Sequence, residues 1–307
     1  MRSFLAAIAA CVIASAAASL PSVAINGVEH RPVPGLGALP AHCVNEVPSG
    51  TRSRRAPGGG LEATFPDGSV HRFPPCASGA PRVRGSVSMP TLPADYDGWL
   101  AYTATKATGP AYDSFLGSFS TPDAPKEVPQ VLYLFTGLQN INWIPKADPD
   151  PSTDFDIIQP VLQYPASDGY SWSARSWYVT FRDGALASTE ISMSEGDLVF
   201  GNMTRTGDQS WDVISTNTRT GKTTVQSATN SRLQSQPWGY NTLECYGCQG
   251  CGTFPQKPSV FTGIKLTAGG QTVKADWDVT PVKPVTPLCN AKATVDSSSG
   301  AVTLSFQ

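Results

Sequence analysis

Between Asp212 and Asp276 the chain carries a single carboxylate, Glu244, within Tyr-Asn-Thr-Leu-Glu-Cys-Tyr-Gly (240–247). A lone acid in so apolar a strand either faces water or is buried with a partner. Burial would raise its pKa and suit it to work as a general base or acid. The run Ile-Ile-Gln-Pro-Val-Leu-Gln-Tyr (157–164) offers the partner. Side chains alternate along a strand, so Gln159, Val161 and Gln163 share one face. An amide cannot act as a base, but its N–H can hold a developing oxyanion. A Gln–Glu pair could therefore hydrolyse an amide: the carboxylate activates water and the amide holds the tetrahedral oxygen. Gln163 is the first candidate and Gln159 the alternative. All three histidines, His30, His42 and His71, precede residue 91. Their absence downstream removes Ser-His-Asp and Cys-His nucleophile systems and the commonest zinc ligand from that region.

The cysteines around Glu244 suggest a different chemistry. Cys245, Cys248 and Cys251 have knuckle-like spacing, and Cys289 could complete a zinc site. In an exported chain these thiols would instead pair with one another. Cys11 lies in the apolar N-terminal run, so six cysteines remain, allowing 15 connectivities. The preferred set is Cys43–Cys76, Cys245–Cys248 and Cys251–Cys289, with no metal and no cofactor. The run Ala-Asp-Pro-Asp-Pro-Ser-Thr-Asp-Phe-Asp (147–156) spaces its acids between prolines and reads as a solvated loop, with cation binding as the alternative. No E-x-D-x-E glycosidase pattern is present, although paired carboxylates would be required for that chemistry.

Three segments must position these residues. Residues 1–24 read as a signal peptide: Arg2, an Ala-rich apolar run, then small residues at 17–19 and 22–24. No other segment approaches the ~20 apolar residues of a membrane span. Residues 25–90 form a basic leader or propeptide with seven Arg, no Lys and four acids, whereas residues 91–307 carry 14 basic and 20 acidic residues. Opposite charge would let the leader dock on the body. Thr-Arg-Ser-Arg-Arg (51–55) reads as a processing site in a loop, and Asp67-Gly68 as the turn of a small hairpin. From residue 129 about ten short β-rich runs alternate with turns, which predicts an antiparallel β-sandwich of jelly-roll or concanavalin-like type over 91–307. Asn202-Met203-Thr204 is the one N-glycosylation triplet, as a secreted surface would carry.

The order of Leu-Tyr-Leu-Phe-Thr-Gly-Leu-Gln-Asn (132–140), the 157–164 run, the paired tryptophans of 171–178, Ile-Ser-Met-Ser-Glu-Gly-Asp-Leu-Val-Phe-Gly (191–201) and Thr-Leu-Glu-Cys-Tyr-Gly (242–247) resembles the glutamic peptidases of the eqolisin, or scytalidoglutamic peptidase, type. The resemblance spans roughly residues 129–278. It implies a secreted β-sandwich protease, made with a leader, working in acid through a Gln/Glu dyad. The family's Ile-Leu-Gln-Thr-Gly word is similar to Val161–Pro165, and its Ala-Glu-Trp word to Leu243-Glu244-Cys245. Its Trp-Val-Gly-Ile-Asp strand resembles Phe135–Gln139, with Phe135 and Gln139 replacing Trp and Asp. Pro165 stands where Gly is usual, and Trp172 and Trp177 are spaced more widely than the family's pair. The neprosin type uses two Glu, and no second Glu stands in a matching word here.

These readings predict an acid endopeptidase acting on polypeptides. Glu244 and Gln163 (or Gln159) would be catalytic, with Trp172, Trp177, Gln139 and Phe135 lining the cleft. A monomer is expected, with neither nucleic acid nor membrane as partner. The competing prediction is a non-catalytic glycan- or cell-wall-binding sandwich using some of the seven Trp and nine Tyr as stacking platforms.

Overall fold

The computed structural model describes residues 22–25, 27–76, 98–129, 131–144, 155–248, 250–279 and 289–306. Most of the expected signal peptide, residues 77–90 of the leader and most of the acidic run at 147–156 lie outside these residues.

In chain order the N-terminal strands are β1 (Val23–Ile25), β2 (Val28–Val33), β3 (Gly37–Pro40), β4 (Val44–Val47), β5 (Thr51–Arg55), β6 (Leu61–Thr64) and β7 (Val70–Phe73). There follow β8 (Gly98–Lys106), β9 (Tyr112–Ser120), β10 (Val131–Gln139), β11 (Asp156–Tyr164), β12 (Trp172–Thr180), β13 (Gly184–Ser188) and β14 (Ile191–Met193). The remainder are β15 (Leu198–Gly207), β16 (Ser210–Asn217), β17 (Thr223–Thr229), β18 (Trp238–Tyr246), β19 (Ser259–Ala268), β20 (Gln271–Val273), β21 (Lys292–Val295) and β22 (Val302–Ser305).

The chain is an all-β sandwich, as the sequence predicts. One sheet runs β4-β13-β12-β11-β10-β18-β8, with β14 beside β12. The facing sheet runs β21-β22-β19-β9-β15-β16-β17-β5-β6-β7, with β20 beside β19. Between them pack Leu132, Leu134, Leu162 and Leu243 from the first sheet and Phe119, Val199 and Phe261 from the second. Leu138, Ile158 and Tyr178 meet Phe115, Met203 and Trp211 farther along. The fit is close at Pro160, in the middle of β11: a Cβ on Gly201 of β15 would lie 2.6 Å from its ring.

The two sheets differ in their outer faces. β16 and β17 alternate buried and half-buried or exposed residues, as one-sided strands do. β10, β11 and β12 are buried at all nine positions each, so their outer face is covered too. Part of the cover is a separate antiparallel sheet, β1-β2-β3. Its Val33 and Leu39 join an apolar cluster with Trp99, Tyr133, Phe135, Val161, Trp177 and Tyr240.

The rest of the predicted leader is woven into the sandwich. β4 pairs in parallel with β13, and β5 with β17. Thr51–Arg55 is thus a strand, not the loop expected for a processing site. β5 is paired on both sides, and Arg54 and Arg55 bind Glu62 and Asp183. The hairpin predicted around Asp67-Gly68 is present as β6–β7, with Gly68 at positive φ. β8 and β9, which the sequence reading passed over, pair respectively with the strand of Glu244 and at the centre of the second sheet. The cysteines pair as Cys43–Cys76, Cys245–Cys248 and Cys251–Cys289.

Candidate active site

Glu244 lies on β18 and faces outward, away from the second sheet and beneath the β1–β3 sheet. Tyr133 of β10 is its neighbour on one side and Trp99 of β8 on the other. At Glu244 the β8–β18 register slips: Leu243 pairs with Ala101 and Glu244 with Trp99, leaving Leu100 as an extra residue. Such a bulge re-aims side chains. Here Leu100 and Ala101 both join the inner core, while Trp99 and Tyr102 both reach the outer cluster.

The Glu244 carboxyl is fully buried. Tyr246 Oη donates to its Oε1, and the backbone N–H of Gly35 donates to its Oε2 at 2.7 Å. Desolvation dominates and pushes its pKa up to about 8. The bonds from Tyr246 and Gly35 oppose the rise, and the Trp99 indole N–H does so more weakly from outside hydrogen-bonding geometry. Tyr133 Oη donates to the carbonyl of Pro32 at 3.0 Å. Burial first, then the nearby Glu244 charge, holds the Tyr133 phenol well above its usual range.

Both candidate glutamines are fully buried on β11, on the same face as Glu244. Gln163 and Glu244 both pair with Tyr133, so they share a row two strands apart, roughly 9–10 Å at the backbone. The Gln163 amide donates to the carbonyl of Pro165 at 3.1 Å. Gln159 Nε2 instead donates to the carbonyl of Pro34 at 2.6 Å. Pro34 and Gly35 are joined by one peptide bond. The amide of Gln159 therefore holds its oxygen while the carboxyl of Glu244 holds its N–H.

The cleft candidates separate by face. Trp177 lies opposite Gln159 on β12 and, with Phe135, joins the outer cluster. Gln139 is fully buried at the end of β10, opposite Trp238, with neither amide atom hydrogen-bonded among the described residues. Trp172 belongs to the inner core, tilted against Tyr164 with ring centroids 5.2 Å apart. Asn202 sits half-buried on β15 and accepts from Thr204 Oγ1.

Three members of the site escaped the sequence reading: Tyr246, Trp99 and the Pro34-Gly35 turn. Strand alternation places Tyr246 two residues from Glu244 on the same face, so its signal was available. Trp99 reaches the site through the bulge and a long-range pairing that sequence periodicity does not encode. Pro-Gly does announce a turn, but nothing local says where that turn docks.

A carboxyl and a carboxamide gripping the two ends of one peptide unit, on the covered face of a β-sandwich, form the kind of site expected of an amide-cleaving hydrolase. Residues 104–244 match the family model described as Peptidase A4 family. That match supports a peptidase, through a distant relationship. Scytalido-glutamic peptidase with a transition-state analogue inhibitor is 18% identical, with 69% of this chain and 98% of that one covered at a TM-score of 0.50. SCP-B, a member of the eqolisin family solved with the tripeptide Ala-Ile-His, is 19% identical over 69% of this chain and 98% of that one, at 0.49. Aspergilloglutamic peptidase from Aspergillus niger is 19% identical over 59% and 100%, at 0.39. No curated protein matches the chain.

Proposed function

We propose that this chain is a secreted endopeptidase of the glutamic type that works in acid, with Glu244 and Gln159 as its catalytic pair. The carrying observation is that the two side chains engage the N–H and the C=O of a single peptide unit. Gln163, the other candidate, spends its amide on Pro165. In the reaction, the Glu244 carboxylate takes a proton from water as the water oxygen bonds to the substrate carbonyl carbon. The Gln159 N–H groups hold the resulting oxyanion. Protonated Glu244 then delivers that proton to the leaving nitrogen, and the C–N bond breaks to give a carboxylic acid and an amine. Ionising Glu244 in acid requires a pKa well below the value of the dry, covered site. Water entering when the cover leaves would lower it.

Secretion is supported by the three disulfides and the N-terminal signal pattern. Among the described residues no helix is long and apolar enough to cross a membrane. The glycan-binding alternative loses two of its stacking platforms, because Trp172 and Trp177 are buried.

The test is cleavage of denatured casein by the secreted protein at pH 2–4 in the presence of pepstatin. Cleavage abolished by Glu244→Gln and strongly reduced by Gln159→Ala, with Gln163→Ala retaining most activity, is expected. Undiminished cleavage by Glu244→Gln would sink the reading, and the reverse order of the two glutamine variants would move the oxyanion role to Gln163.

A further inference from the structure

We infer that Tyr246, held by the Cys245–Cys248 disulfide, is a positioning residue that occupies Oε1 of Glu244 and leaves Oε2 as the oxygen that exchanges a proton with water and with the leaving amine. The inference rests on the peptidase reading of Glu244 and adds which of its oxygens works and what holds the other.

Glu244 and Tyr246 stand two residues apart at the end of β18, so both side chains lie on its outer face. Tyr246 Oη donates to Oε1. Oε2 instead accepts from the peptide unit whose carbonyl Gln159 holds. The two oxygens thus differ: Oε2 shares a peptide unit with the amide partner, and Oε1 is engaged by a phenol from its own strand. A carboxylate oxygen that already accepts a hydrogen bond from a hydroxyl is the less basic of the two, so a proton taken from water goes to Oε2. The phenol keeps its own proton throughout and acts only through Glu244.

Strand pairing holds the end of β18 less firmly than its middle. β8 reaches Cys245 through Gly98, and among the described residues Tyr246 is paired only with Val131 of β10. Directly afterwards Gly247 turns the chain at φ +65°. The disulfide spans this point. Cys245 and Cys248 both join the inner core, and their bond closes a ring through Tyr246 and Gly247. With its chain anchored on both sides, Tyr246 is buried and packs edge-on against Tyr133, ring centroids 6.5 Å apart. By the chain-entropy account, a bridge with a sequence separation of 3 stabilises about half as much as Cys43–Cys76 with its separation of 33. The effect of the short bridge is local: it sets where the phenol points.

Tyr246 is also the strongest of the donors that favour the Glu244 carboxylate, ahead of Gly35 and Trp99. The titratable groups facing Glu244 are Tyr246 on its own strand and Tyr133 on β10. Tyr133 donates its hydrogen bond to the Pro32 carbonyl. β8 presents the Trp99 indole, β11 the neutral Gln159 and Gln163, and the turn between β2 and β3 the backbone N–H of Gly35. Arg175 of β12, whose charge acts on Tyr133, is paired with Glu46 and Glu190.

The experiment measures turnover at limiting casein, which reads kcat/KM, from pH 2 to 6. It compares the full secreted chain with Tyr246→Phe, Cys245→Ala/Cys248→Ala and the variant combining all three. The base must be ionised, so turnover falls on the acid side as Glu244 gains its proton, and a lost donor raises that pKa. Tyr246→Phe should move the acid limb up by about one pH unit, the worth of a hydrogen bond to a charged group. The double cysteine variant should move it the same way. The combined variant should move it no further than Tyr246→Phe, because both changes act through one contact. Gly247→Ala, which strains the ring with the disulfide intact, carries the cysteine comparison if the double variant fails to fold. A merely structural role would lower turnover at every pH and leave the limb in place. That result for Tyr246→Phe would overturn the inference, and for the ring variants it would overturn the role of the disulfide. If no protein cleaves casein, wild type included, the peptidase reading falls instead. The Glu244 carboxyl band in infrared difference spectra then reads the contact by itself: upward shifts in Tyr246→Phe and in the ring variant support it, and an unmoved band overturns it.

Discussion

Replacing Glu244 with Gln keeps the shape of the buried site and deletes its titrating proton. The folded carboxyl has a pKa of about 8 against 4.5 for an unperturbed glutamate. Below pH 4.5 the folded and unfolded chains both hold the proton, and the group contributes no pH dependence. Between 4.5 and 8 the folded chain keeps the proton and the unfolded chain releases it. The folded state then binds more protons, so stability must fall as pH rises through this window. At about 1.36 kcal/mol for each unit of separation, the loss by pH 8 is on the order of 4 kcal/mol. Asp156, fully buried with a pKa of about 7, falls in the same direction. It is present in both proteins and cancels in the difference.

The assay is urea unfolding of wild type and Glu244→Gln at half-unit steps from pH 4 to 8, with the disulfides intact. The two curves should lie close together at pH 4 and separate progressively, the variant becoming the more stable by several kcal/mol at pH 8. Gln can still accept from Gly35 through its carbonyl, so the difference reports the charge and not a broken contact. A difference that stays flat across the range would refute the reasoning. It would mean that the donors on Tyr246, Gly35 and Trp99 outweigh desolvation and that the folded carboxyl is already ionised.

Further outcomes follow from the same geometry. Tyr246→Phe removes the hydroxyl that favours the Glu244 carboxylate. It should raise the Glu244 pKa further, visible as an upward shift of the carboxyl band titration in infrared difference spectra. Gly201→Ala drives a methyl to 2.6 Å from Pro160 of the facing sheet and should cost roughly 1–3 kcal/mol in urea unfolding. Replacing Cys43 and Cys76 by Ser opens a link across 33 residues of sequence and should cost roughly 3–4 kcal/mol by the chain-entropy account, measured by the same unfolding.

Much of this architecture could be read from the sequence because it is local. The hairpin at Asp67-Gly68 was legible from residues that accept positive φ. The strands from β10 onward were legible from apolar runs and alternation. Glu244 stood out because its neighbours are apolar. What escaped is long-range. β4 and β5 look like a detached leader by composition, yet they complete both sheets through parallel pairings with β13 and β17. Arg54 and Arg55 look like a protease site until Glu62 and Asp183 are brought beside them. Gln159 and Gln163 are equivalent by alternation, since both lie on one face. The arrival of Pro34 from 125 residues away at Gln159, and the bond of Gln163 to the nearby Pro165, distinguish them.

The burial pattern of the strands connects these observations. A sandwich needs only one apolar face on each sheet, and β16 and β17 meet that requirement. β10, β11 and β12 carry apolar side chains on both faces, so their outer face must be covered by something. In this structure β2 and β3 share that task, laying Val33 and Leu39 on Tyr133, Phe135, Val161 and Trp177. A free peptide that displaced them would meet the same aromatic surface and the same polar pair. Removing β1–β3 without a replacement would expose large aromatic side chains of that face to water. The Cys43–Cys76 disulfide and the β4–β13 and β5–β17 pairings follow directly on this hairpin and keep it next to that surface.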